Sequence, residues 1–173
     1  ILFENRKQKF SNIISDLPGL IAKHCSESEV KKFIHVSAIG ANANSKSLYQ
    51  QSKFAGEQKA LNNFKNTIII RPSVVCGTED NFTNLFAKLS IAPIIPVVKT
   101  SYNFQPILVN DVVKAIVKAI EVKKNEGKIY EIGGPKVISF GNMVKSILNT
   151  IGKKRFVIDL PMPIAKIQAS LFS

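Results

Sequence analysis

The chain has 173 residues, 45% of them apolar, and a formal net charge of +12. That length suits one domain, and that apolar fraction fills a core, which excludes a disordered chain. Lysine supplies most of the charge in scattered positions, densest at Lys31-Lys32, Lys123-Lys124 and Lys153-Lys154. Lysines spread in this way read as a solvated surface, and no RNA-binding or helix-turn-helix signature accompanies them, so no nucleic-acid partner is expected.

Cys25 and Cys76 stand far apart, with no Cys-x-x-Cys and no histidine at ligand spacing. Reduced thiols, no metal site and a cytoplasmic protein follow as expectations. The longest apolar run, "LSIAPIIPVV" at 89–98, is too short for a bilayer and holds two prolines. The chain opens without Met on "ILF", which reads as a strand cut through and suggests a fragment.

In chain order, Phe10, Ile13, Ile14, Leu17 and Ile21 recur at helical spacing, with Pro18 expected to kink or delay the helix. "KKFIHVSAIG" has the near-continuous apolar character of a parallel strand buried on both faces. Ser47 with Gln50 fits a capping box for a helix carrying Leu48, Tyr49, Lys53, Gly56, Ala60, Leu61 and Phe64. A strand follows at 67–75, "TIIIRPSVV".

Strand, helix and strand in this rhythm predict an α/β fold with a parallel sheet. Beyond Gly77, a helix capped by Thr78 or Asp80 is expected over "TEDNFTNLFAKLS", then an edge strand over "YNFQPILV". "NDVVKAIVKAIEV" reads as an amphipathic helix opened by Asn110 or Asp111, with Val112, Val113, Ile116, Val117 and Ile120 as its apolar stripe. The strand "KIYEIGG", the helix "SFGNMVKSILNTIG", the strand "RFVIDL" and a Pro-initiated last helix complete the chain.

In "SLYQQSKFAGE", Tyr49 stands four residues ahead of Lys53. In a chain this rich in lysine the spacing carries little by itself. Its setting adds weight, because parallel sheets place ligands outside the carboxyl ends of their strands, which puts Ser37 and Tyr49 at one rim. An ammonium one turn from a phenol favours the ionised phenol, so Lys53 would make Tyr49 a usable acid or base. Gly56 inside the same helix marks a close approach, since glycine there costs about 1 kcal/mol against alanine.

Together, "HVSAIGANANSKSLYQQSKFAGE", "IIRPSVVCGTEDNF", "FQPILVNDVVKAI" and "GKIYEIGGPKVISFGNMV" resemble the second half of an extended short-chain dehydrogenase/reductase. The phrases resemble its atypical branch, which contains an accessory subunit of respiratory complex I and bacterial relatives. The resemblance implies a partial NAD(P)-binding Rossmann fold lacking its first strands, with a small C-terminal substrate-side lobe. It divides the chain into the C-terminal half of a Rossmann domain over 1–76, a substrate-side segment over 77–110, a return to the sheet over 111–135 and a C-terminal lobe over 136–173.

The same resemblance puts the family's active-site tyrosine and lysine on Tyr49 and Lys53, where both also touch cofactor, with Ser37 near the catalytic Ser/Thr. The strand-end segment beside the nicotinamide falls on Arg71, Pro72, Ser73, Val74 and Val75. Two departures stand out. Ala38 falls at the serine position of active epimerases, and no G-x-x-G-x-x-G turn for the pyrophosphate of NADP or NAD is present.

The first reading is an NAD(P)-binding accessory protein, non-catalytic or dependent on a missing N-terminal half. That half, or another protein pairing with the exposed sheet edge, would be its partner, and a respiratory membrane complex would hold it at the inner face of a membrane. The alternatives are an active NAD(P)-dependent oxidoreductase or nucleotide-sugar epimerase using Tyr49 and Lys53, and a degenerate fragment of a split gene.

Overall fold

The computed structural model describes residues 9–98, 100–123 and 126–161. A π-helical stretch, Ser11–Asp16, runs directly into α1, Leu17–Ser26. Pro18 sits in the first turn of α1, and with no N–H to extend the ladder of the preceding π-helical turn it delays the regular helix as its position implies. There follow β1, Phe33–Val36, then α2, Leu48–Asn63, and β2, Thr67–Pro72. After β2 come β3, Val75–Cys76, α3, Asn81–Leu89, β4, Ile94–Val98, β5, Asn103–Phe104, and β6, Ile107–Leu108. The chain continues through α4, Val109–Glu121, β7, Ile129–Ile132, β8, Ile138–Ser139, α5, Phe140–Thr150, and β9, Phe156–Leu160.

These elements form two compact units, Ile1–Ser73 with Asn110–Gly133, and Val74–Val109 with Gly134–Ser173. The first is built on a parallel sheet in the order β1-β2-β7. Ile68 and Ile70 of β2 and Ala119 of α4 form its core, with Ile34, Ile116 and Ile132 packed against them. Alternation along the strands leaves the other face to Ile69 and Arg71, where α2 sends in Glu57.

Three expectations change here. β1 is only half-buried, and Val36 is exposed, because among the described residues β1 pairs with β2 alone. The strand "TIIIRPSVV" is two strands, since Val75 and Cys76 pair with Ile107 and Leu108 in the second unit. Of the α4 stripe, Val112 is buried and Ile116 packs on the sheet, while Val113, Val117 and Ile120 are exposed on the adjoining flank.

The second unit centres on Phe86, Ile95, Val97, Val144 and Leu148, with β4 and β9 in parallel register. Asp80 caps α3 as expected, its carboxylate accepting from the Thr83 amide at 2.5 Å and from the Gly77 amide at 3.0 Å. Burial works against its charge, but the amides of Gly77, Thr83 and Phe82 prevail and hold its pKa below the usual value.

"YNFQPILV" is not one edge strand. It breaks at Gln105-Pro106, with β5 antiparallel to β8 and β6 parallel to β3. Gly134 explains the "IGGP" turn: a Cβ there would lie 1.8 Å from the Pro106 carbonyl oxygen. The opening strand at Ile1-Leu2-Phe3 and the Pro-initiated last helix lie outside the described residues. Among the described residues no helix is long and apolar enough to cross a membrane.

Candidate active site

The site grows from the packing of α2 onto α1 and β1. Gly56 lets α2 approach the π-helical stretch, since a Cβ there would stand 2.2 Å from the Ile14 carbonyl oxygen. Lys59 donates to Ser15 Oγ at 3.1 Å and pairs with Asp16, and Asn63 donates to the Gly19 carbonyl at 3.2 Å. These contacts fix the face of α2 that carries Tyr49, Lys53 and Glu57 at four-residue intervals.

The α2 start differs from the expected capping box. Ser47 stands at the cap but makes no side-chain cap bond. Gln50 instead accepts from Ser45 Oγ, and that same hydroxyl accepts from the Ser47 amide at 3.1 Å. The preceding loop does the work of the cap.

Tyr49 is half-buried, with Phe10 edge-on at 5.9 Å between ring centroids. Lys53 Nζ lies 5.8 Å from the Tyr49 ring centroid and donates to the Val36 carbonyl at 3.4 Å. The structure thus brings Tyr49 and Lys53 together and takes the lysine to the peptide leading into Ser37. Ser37 is buried at the end of β1, and its Oγ has no hydrogen-bond partner among the described residues.

The electrostatics overturn the expectation that Lys53 would lower the Tyr49 pKa. Burial pushes the Tyr49 phenol up, and burial pushes the Lys53 ammonium down, with the nearby Glu57 carboxylate opposing that fall. Desolvation decides the sign because Lys53 stands over the ring rather than bonding the hydroxyl. His35, next to the lysine on β1, is lowered to about 4 by burial first and by Lys53 second, against Glu57, and its Nε2 is buried without a partner among the described residues.

Arg71 is engaged by carboxylates. Its Nε and Nη2 reach the fully buried Glu57 at 2.9 and 2.6 Å, and Nη1 reaches Glu131 at 3.1 Å. The hydrogen bond with Glu57 is the main cause that raises its pKa. Pro72 ends β2, and Ser73 follows with its amide on the Ile132 carbonyl at 2.9 Å. Val74 and Val75 belong to the second unit, where the Val74 carbonyl accepts from the Ile107 amide at 2.9 Å.

The sequence motifs do not assign Glu57 or Glu131 to the site, and they mark Phe10 only as part of a helical stripe. Glu57 had a signal: it extends the Tyr49–Lys53 spacing by one more helical turn and follows Gly56. Phe10 and Glu131 had none, because their contacts cross elements distant in sequence. Among the described residues no cluster fits a metal ion.

Residues 3–170 match the RmlD substrate binding domain family. The chain belongs to that family. It is 34% identical over 164 residues to "NADH dehydrogenase [ubiquinone] 1 alpha subcomplex subunit 9, mitochondrial" of Mus musculus, covering 94% of this chain and 43% of that protein. The same subunit of Arabidopsis thaliana is 32% identical over 97% of this chain and 43% of its own length. The chain therefore spans less than half the length of these curated relatives.

Among solved structures, a dTDP-4-dehydrorhamnose reductase ortholog from Clostridium acetobutylicum superposes with TM-score 0.76 at 18% identity, over 86% of this chain and 56% of that one. A UDP-glucuronic acid 4-epimerase from Bacillus cereus, in complex with UDP-glucuronic acid and NAD, gives TM-score 0.74 at 20% identity, over 91% and 57%. Fold and sequence relatives agree with the extended short-chain dehydrogenase/reductase resemblance.

Proposed function

We propose that the chain forms the nicotinamide end of an NAD(P)-binding site in an accessory protein related to the complex I subunit, and that it binds without turnover. The observation that carries this reading is the Tyr49–Lys53 pair held at the β1 rim, with Lys53 over the Tyr49 ring rather than on its hydroxyl and burial moving the Tyr49 phenol up, away from acid/base use. A catalytic phenol needs its pKa brought toward the working pH, and here it moves the other way. Ala38 at the epimerase serine position points in the same direction.

The residues present fit one end of a dinucleotide. Lys53, already on the Val36 carbonyl, has ammonium protons to give a ribose hydroxyl, and the orphaned Ser37 Oγ has a partner to gain. Pro72 and Ser73 would wall the nicotinamide. Arg71 serves by holding Glu57 and so α2. The pyrophosphate end is not supplied, since the sequence has no glycine-rich turn. A segment carrying that turn, from this protein or from a partner, is proposed for the β1 side, and the curated relatives favour a respiratory complex as the wider setting.

The second reading is an oxidoreductase or epimerase in which Tyr49 moves a proton while the nicotinamide supplies hydride chemistry. Ser37, whose hydroxyl has no partner among the described residues, favours it. Tyr49→Phe separates the two: NADPH binding within about twofold of wild type, with no turnover of any carbonyl or nucleotide sugar by either protein, supports the accessory reading. Turnover that the substitution abolishes contradicts it.

A further inference from the structure

The outer face of the β4–β9 ribbon in the second unit is apolar and, among the described residues, uncovered. Ile94 stands opposite Phe156, and Pro96 opposite Ile158. The alternate residues Ile95 and Val97 enter the core, with Val157 packed against it. Strand alternation therefore turns Ile94, Phe156 and Ile158 outward, and all three are exposed, Phe156 at 77%. The turn before β4 adds Ile91, 89% exposed.

Two hydrogen bonds hold that turn against the start of β9. The Phe156 amide donates to the Pro93 carbonyl at 3.1 Å, and Arg155 Nε donates to the Ser90 carbonyl at 2.7 Å. The apolar side chains thus form one patch, bordered by the exposed Lys153 and Lys154 and by Arg155. Residues 81–109 and 134–158 contain no Asp or Glu. Asp159 lies on the alternate set with Val157, and its carboxylate accepts from the Thr100 amide at 3.4 Å.

Soluble chains rarely gather exposed apolar groups without a use for them. Apolar tips beside cations with no acid between them match a bilayer boundary, where apolar side chains enter the acyl margin and lysines meet lipid phosphates. We propose that this ribbon face docks on an anionic lipid surface, with Ile91 and Phe156 inserting and Lys153 and Lys154 neutralising headgroups. The charge favours a membrane over a protein partner, because three consecutive cations suit a diffuse anionic plane and the outward set of the ribbon, Ile94, Pro96, Phe156 and Ile158, carries no acid to set register with a protein surface. The inference rests on the second unit alone and is independent of the dinucleotide reading.

Co-sedimentation of the full chain with vesicles tests it, using phosphatidylcholine alone and phosphatidylcholine with about one-third phosphatidylserine. The expected result is binding at least roughly tenfold tighter to the anionic vesicles and weakened by salt. Lys153→Glu with Lys154→Glu, and separately Ile91→Ser with Phe156→Ser, should each lose roughly tenfold or more with unchanged urea midpoints, since none of these side chains enters the core. Equal binding to neutral vesicles, or wild-type binding by either double variant, overturns the proposal. Wild-type self-association that Ile91→Ser with Phe156→Ser abolishes, without vesicle binding, also overturns it and makes the face an interface between copies.

Discussion

The Arg71 guanidinium forks onto the Glu57 carboxylate at 2.9 and 2.6 Å, and the Glu57 side chain is completely buried while that of Arg71 is 14% exposed. This pair ties α2, which carries Tyr49 and Lys53, to the central strand of the parallel sheet. Removing one partner strands a buried charge. Arg71→Met should therefore cost roughly 3–5 kcal/mol in urea unfolding, whereas Arg71→Met with Glu57→Leu should recover most of that loss. Glu131→Gln, on the exposed side of the same arginine, should cost less than about 1 kcal/mol. Equal costs for the Arg71 and Glu131 changes would show that the Glu57 pair is not the anchor.

Gly56→Ala opposes helix propensity to packing. Alanine would gain about 1 kcal/mol in a free helix, but its methyl would sit 2.2 Å from the Ile14 carbonyl oxygen, a backbone atom with nowhere to go. The substitution should destabilise by about 1–3 kcal/mol as α2 and the π-helical stretch separate. Thermal unfolding checks the sign, and a stabilised variant would mean the two segments part freely.

His35 sets a pH dependence. Its folded pKa of about 4 lies below the ordinary 6.5, so between those values the unfolded chain binds more protons. Stability from this group is complete above pH ~6.5 and falls as pH drops toward ~4, by roughly 3 kcal/mol at the limit. The groups facing it are Lys53 and Glu57 of α2. Urea unfolding from pH 7 to 4.5 should show this slope in the wild type and a flatter one in His35→Gln. Parallel curves for the two proteins would place the titration elsewhere.

Much of this architecture was legible because its signals are local. The parallel strands at Phe33 and Thr67, the Tyr49 helix and the Asp80 cap follow from apolar runs and cap chemistry within a few residues. What failed depended on distant partners. The buried strand at Phe33 needed a second neighbour, "YNFQPILV" was split because its halves pair with different strands, and three of the five α4 stripe residues found no cover. The Tyr49–Lys53 spacing was readable, but the direction of its pKa shifts was not, because burial by Phe10 and the packing of α2 against α1 outweighs the charge that the spacing suggests. Glu57 illustrates both sides: its place on the helix face was visible, and its partner Arg71, fourteen residues on, was not.

The central claim is that Tyr49 and Lys53 form one end of a dinucleotide site whose pyrophosphate end is not among these 173 residues. Fluorescence titration of NADPH tests it directly, on these 173 residues alone and on the same residues assembled with a Rossmann half that carries the glycine-rich turn. The account predicts weak binding alone, binding tighter by at least about a hundredfold in the assembly, and a loss of roughly tenfold on Lys53→Met. Tight binding by the 173-residue chain alone, or assembled binding indifferent to Lys53→Met, would contradict it.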